Sequence, residues 1–155
     1  MKISAQEEYG LRILIRIASS EKPDGLTIPE ISKAEGLSQH NVAKLCRILR
    51  ISGFINSSRG QAGGYFLSRP ADKIIISEVL NDLGGQLFGD DFCASHSGIE
   101  DSCTNTVDCS ARYVWQLIQD AIDRALANLT LGDLINRGEE VLYHIQTPPA
   151  FDRKS

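Results

Sequence analysis

Residues 109–131, CSARYVWQLIQDAIDRALANLTL, contain neither Gly nor Pro, and this unbroken stretch constrains the fold more than any other feature. Ala111, Trp115, Ile118, Ile122, Ala125 and Leu129 recur at alternating steps of four and three, which is a heptad seam. Val114, Leu117 and Ala121 form a second apolar stripe beside it. Asp108 stands where it can cap such a helix, and Gly132 ends the run. At 1.5 Å per residue the helix would be about 30 Å long, enough for a dimer spine. One stripe can pack on the chain's own body while the other meets a partner. The competing reading is a buried helix of a monomer.

Three cysteines, Cys93, Cys103 and Cys109, fall within seventeen residues just before and at the mouth of this helix. No apolar run among the 155 residues approaches the length of a membrane span, and MKIS opens directly into amphipathic sequence, so neither a membrane span nor a signal peptide is expected. The expected compartment is the cytoplasm, where cysteines serve metal or redox chemistry more often than structural disulfides. With 42% hydrophobic residues the chain can bury a core.

The net charge of −4 hides an asymmetry: residues 1–73 hold eleven Lys/Arg and seven Asp/Glu, whereas residues 74–155 hold five and thirteen. Between Glu35 and Asp72 there is no acidic residue, yet Lys44, Arg47, Arg50, Arg59 and Arg69 fall there. That is a local footprint for a polyanion within an acidic protein.

The same region has a helix-turn-helix outline. Ser4 and Glu7 form a capping box for a helix reaching about Ser19, and Thr27 and Glu30 form another for a short helix through Glu35. Gly36 breaks the chain, and Ser38 caps a third helix from Gln39 to about Ile51. Spacing turns Val42, Leu45, Cys46 and Leu49 inward, leaving Gln39, His40, Asn41, Ala43, Lys44, Arg47 and Arg50 outward. Most of these are donors suited to base edges and phosphates. Two strands, Phe54–Ser58 and Gly64–Ser68, joined by Arg59–Gly63, predict a wing with Arg59 at its tip, poised for a minor groove. An extended piece over Ile74–Ile76, a helix capped by Ser77 and a last turn capped by Thr130 complete the outline. The expected fold is mainly α: a winged helix-turn-helix with a two-stranded wing, plus a long C-terminal dimerisation helix. The divisions are residues 1–76 for the winged head, 77–108 for a short helix and cysteine loop, 109–136 for the long helix and final turn, and 137–155 for a mobile tail.

MKIS at the start, IPEISKAEGLS in the turn, SRGQAGGYFLSRP in the wing, then ISEVL and LANLTLGDLI resemble the IscR/NsrR family. These are bacterial winged-helix regulators, many of which carry an iron–sulfur cluster. The resemblance spans residues 1–136. It implies a homodimer on double-stranded DNA at an inverted repeat, contacted through Thr27, Ser38, Gln39, His40, Asn41, Lys44, Arg47, Arg59, Gly60 and Gln61. It also implies a cluster held by Cys93, Cys103 and Cys109. The first gap between these cysteines is longer than the family usually has, and Arg112 replaces the histidine some members place three residues after the third. A guanidinium stays protonated and cannot be a ligand. In other members an acidic residue of the opposite subunit's first helix is the fourth ligand, and Glu8 occupies that position here. His96, Asp91 and Glu100 compete with it. Ala43 stands where the cluster-assembly regulator carries an acidic residue, so the target sequence does not transfer.

Thiolates are soft ligands for iron–sulfur clusters or zinc, and Cys109 at a helix N-terminus sits where the dipole favours an anionic ligand. Structural zinc with His96 and a metal-free thiol switch are the alternatives at this loop. Loss of the histidine favours [4Fe–4S] over [2Fe–2S]. Cys46 belongs to the core, and Trp115 to packing. The expected function is a repressor sensing iron, redox state or nitric oxide; the alternative is a cluster-free regulator acting through a thiol switch or a metabolic protein partner. No Gly-rich nucleotide loop in a βαβ context and no Ser/His/Asp constellation points to an enzyme.

Overall fold

Each helix of the N-terminal half starts on a side-chain cap, which fixes where the chain turns. The computed structural model describes residues 3–60, 63–86, 88–89, 92–95 and 109–136. At the start of α1 (Ala5–Ala18) the Ser4 hydroxyl accepts the Glu7 N–H at 3.2 Å, and the Glu7 carboxylate accepts the Ser4 N–H at 2.7 Å. Thr27 and Glu30 repeat the device at α2 (Ile28–Glu35), with Pro29 in the first turn, where its missing N–H is no loss. Gly36 ends α2 in the left-handed conformation at φ 67°, and the Ser38 hydroxyl accepts the Asn41 N–H at 3.2 Å to open α3 (Gln39–Ile51). Val42, Leu45, Cys46 and Leu49 are all buried, as their spacing predicts, and pack with Ile13, Leu14, Ile17 and Ile31. Ala43 departs from the outward reading: it is half-buried, at the edge of the buried arc.

An ionic clamp sets α1 against α2. The Glu35 carboxylate accepts from Arg12 Nε at 3.0 Å and Arg16 Nε at 2.6 Å, while Arg12 Nη2 also donates to the Glu35 carbonyl at 3.0 Å. Its side chain is only 7% exposed. Burial pushes this carboxyl up, but the hydrogen bonds and charges of Arg16 and Arg12 outweigh burial and hold it below its ordinary value.

The wing pairs β1 (Ile55–Ser57) antiparallel with β2 (Tyr65–Leu67), placing Ile55 opposite Leu67, Asn56 opposite Phe66 and Ser57 opposite Tyr65. Both strands are shorter than predicted by a residue at each end. The sequence gave no sign of a further bridge to Leu26, whose N–H donates to the Tyr65 carbonyl at 3.0 Å and whose carbonyl accepts from Tyr65 at 2.7 Å. Close backbone approach requires Gly25 (φ 77°), where a Cβ would lie 2.3 Å from the Tyr65 oxygen. After a 3-10 turn (Ala71–Lys73) comes α4 (Ile76–Gly84). Ser77 does not cap α4: the cap position is Ile75, with no side-chain bond, and the Ile76 N–H donates instead to the Leu129 carbonyl at 2.9 Å. A tertiary backbone partner replaces the cap.

Past a short helix α5 (Phe92–Ser95), α6 spans Ser110–Leu126. Its 17 residues make it about 25 Å long, shorter than the sequence suggested. Cys109 holds its N-cap position without a side-chain bond, whereas Asp108, the expected cap, lies outside the described residues. The heptad reading needs correction too. Ala111 and Ala125 are exposed, Ile118, Ile122 and Leu129 half-buried, and the buried residue of α6 is Gln119. Its amide accepts the Phe88 N–H at 3.2 Å and donates to Asp123 at 2.8 Å, so burial leaves no polar atom stranded. The C-terminal end is firmly tied: Thr130 bridges Ile75, the Leu131 N–H donates to Ile74 at 2.9 Å, and Leu131 is fully buried. Thr130 and Asp133 form the expected cap for a final helical turn over residues 131–136. The tail over 137–155, including His144, lies outside the described residues. The architecture is thus mainly helical with a two-stranded antiparallel wing, and among the described residues no helix is long and apolar enough to cross a membrane.

Replacing Glu35 by Gln should lower stability near neutral pH by about 1–2 kcal/mol, the Arg partners being half exposed. Because the folded carboxyl titrates below its ordinary 4.5, its contribution is complete above that pH and disappears as pH falls through the folded value. Urea unfolding of both proteins across pH should show the gap closing on the acid side.

Candidate functional site

Two surfaces gather the residues that the sequence singled out. On the first, α3 presents Gln39, His40, Asn41, Lys44, Arg47 and Arg50, all exposed, while its opposite face is core. The amphipathic spacing of α3 makes this inevitable once Leu45 and Leu49 are buried. Beside it the wing exposes Arg59 and Gly60, the latter at φ 119°, a conformation natural only to glycine; Gln61 lies outside the described residues. Ser38 is exposed but spends its hydroxyl on the α3 cap. Thr27 is half-buried, and its hydroxyl donates to Glu30 at 3.0 Å. Hydrogen bonds from Lys22 and then from Thr27 lower the Glu30 carboxyl to about 2, so this cap stays charged.

Arg69 does not join the basic face. It donates to the Lys73 carbonyl at 3.0 Å and the Gly53 carbonyl at 3.1 Å, and lies 5.3 Å from the centre of the Phe54 ring. Its charge fastens the wing base to the following turn. The outward cations of this surface are Lys44, Arg47, Arg50 and Arg59.

The second surface is the cysteine end of α6. Cys93 on α5 and Cys109 at the α6 N-cap are both half-buried and free. Arg112 reaches both: its N–H donates to the Cys109 carbonyl at 3.0 Å, and its Nη2 donates to the Cys93 sulfur at 3.3 Å. Phe92 stands between Phe88 and Trp115, with ring centres 5.0 Å and 6.3 Å away, so this contact packs α5 on α6. A cavity of about 410 Å³ opens here, lined by Cys93, Arg112, Gln116 and Asp120 among others. Cys103, and with it His96, Asp91 and Glu100, lies outside the described residues. Among the described residues no three His, Cys, Asp or Glu side chains converge as a metal site. Glu8 is exposed on the first turn of α1, with no ion pair or side-chain hydrogen bond to a described residue. Two residues escaped the sequence reading. Gln119 was hidden because a polar residue beside an apolar stripe reads as solvent-facing, and Arg112 because it was judged only as a ligand.

Comparison with known proteins agrees with this arrangement. The profile of Rrf2, described as an iron-dependent transcriptional regulator, matches residues 3–137. Protein rrf2 of Nitratidesulfovibrio vulgaris is 31% identical over 135 residues, covering 87% of each chain. The HTH-type transcriptional regulator IscR of Escherichia coli is 26% identical over 139 residues, 90% of this chain and 83% of that one. Among solved structures, CymR, the global cysteine regulator of B. subtilis, superposes with a TM-score of 0.64 at 27% identity, covering 87% of this chain and 96% of its own.

The geometry also sorts the cysteines. Burial pushes the Cys46 thiol up to about 12, and it is fully enclosed in the core. Iodoacetamide at pH 8 should therefore label Cys93 and Cys109 of the folded, cluster-free protein and leave Cys46 unmodified until denaturant is added. Peptide mass mapping reads the result.

Proposed function

The chain belongs to the Rrf2 family of transcriptional regulators, and from that membership we propose a cytoplasmic, homodimeric repressor whose affinity for an inverted-repeat operator is set by an iron–sulfur cluster. DNA-binding regulation is the family's work; it is not a family of enzymes. The observation that carries the cluster reading is the reach of Arg112 to both Cys93 and Cys109, which brings together two cysteines fifteen positions apart in sequence. With Cys103 they form the thiolate set, and the partner subunit's Glu8 supplies a fourth, oxygen ligand. The donors fit: soft thiolates suit iron–sulfur clusters, and the Arg112 guanidinium offsets their negative charge. When bound, the cluster supplies a group sensitive to iron supply, oxidants or nitric oxide, with [4Fe–4S] favoured over [2Fe–2S].

In this reading residues 1–76 face DNA, residues 77–108 carry the ligands, and residues 109–136 form the spine, with 137–155 as tail. α3 enters the major groove with Gln39, His40 and Asn41 toward base edges and Lys44 and Arg47 toward phosphates. Arg59 and Gly60, with Gln61, approach the minor groove from the wing; Thr27 and Ser38 meet the backbone at helix starts. Tyr113, Val114 and Leu117 remain 67%, 53% and 63% exposed on α6, and pairing two copies would cover them. A thiol switch or a metabolic protein partner, without a cluster, is the second reading; the free state of Cys93 and Cys109 and the likeness to CymR favour it.

Arg59→Ala should weaken binding to a duplex selected from a random pool about tenfold, with the fold intact; fluorescence anisotropy measures it, and unchanged affinity removes the wing from the interface. Native mass spectrometry of the anaerobically reconstituted protein should show a dimer with two cluster masses, and Glu8→Ala should reduce cluster occupancy but leave the dimer. A wild-type dimer without added mass would support the cluster-free reading.

A further inference from the structure

Arg112 sits in the first turn of α6, where the positive end of the helix dipole disfavours a cation and where no carboxylate accompanies it. Its guanidinium is nevertheless turned inward, half-buried, with Nη2 3.3 Å from the Cys93 sulfur. Helix physics does not explain that placement; an anionic sulfur does. Gln116 and Asp120, one and two turns further along the same face, line the cavity with it.

We propose that Arg112 is a positioning residue that donates a charge-assisted hydrogen bond to the Cys93 sulfur in the cluster-bound protein and thereby raises the cluster's reduction potential. The inference rests on the cluster reading above. A donor at a ligating sulfur stabilises the electron-richer, reduced form more than the oxidised one, and hydrogen bonds to sulfur are among the factors that set such potentials. Arginine is thus no ligand here, yet it reaches a ligand's sulfur. A lysine keeps the charge and the N–H donors; a methionine of similar length keeps neither.

The test compares anaerobically reconstituted, full-length wild type with R112K and R112M, by redox titration followed in the visible spectrum, with iron content and thermal melting measured alongside. R112M should take up the same iron but have a lower potential: at one fixed ambient potential its oxidised-to-reduced ratio should rise about tenfold, about 59 mV for a one-electron couple. R112K should lie nearer wild type. A purely structural role would change melting or iron content and leave the potential alone. Equal potentials in wild type and R112M overturn the proposal, as does loss of cluster uptake in both variants while they remain folded. A wild type that takes up no cluster overturns the underlying reading, and this one with it.

Discussion

The long helix depends on one short backbone joint. Ile74 and Ile76 exchange hydrogen bonds with Leu131 and Leu129, Thr130 bridges Ile75, and the Leu131 side chain is enclosed in the core of the winged head. Backbone groups buried at such a crossing need partners, and each segment provides what the other lacks. Gly132 lets the final turn lie against the chain at Asp72, where a Cβ would stand 3.2 Å from the backbone nitrogen. Apart from this joint and the Gln119 contact, α6 exposes most of its surface. A change at its cysteine end is therefore carried by a stiff rod to the segment that joins the wing to α4.

The head itself is rigid for reasons unrelated to its basic face. Glu35 clamps α1 to α2, Leu26 extends the wing into a third extended segment, and Arg69 fastens the wing base to the following turn. With these contacts supplied from inside, the side chains of α3 and the wing tip are left for a ligand. Preorganised donors lose little freedom on binding, which favours affinity over adaptability.

Cysteine chemistry divides along the same line. Cys46 is sealed between helices and behaves as a small apolar side chain, whereas Cys93 and Cys109 lie at the far end of α6 beside a guanidinium. Three of the four cysteines of the chain thus belong to the acidic C-terminal half and one to the core, a separation of reactive from structural sulfur within one small protein.

Local rules made much of this legible. Ser4, Thr27, Ser38 and Thr130 mark helix starts because a hydroxyl followed by a suitable N–H, or by a carboxylate three residues on, satisfies orphan donors without any help from tertiary structure. The inward and outward faces of α3 follow from a 3.6-residue period, and the family resemblance follows from motifs. What only the tertiary structure decided were contacts between residues distant in sequence: the Leu26–Tyr65 bridge, the backbone partner that replaced Ser77 as the α4 cap, the withdrawal of Arg69 from the basic face, the burial of Gln119 rather than the apolar seam, and the sulfur partner of Arg112. A one-dimensional pattern reports which groups want a partner; only packing, which brings backbone and polar side chains within 3 Å or so, decides which partner each one finds.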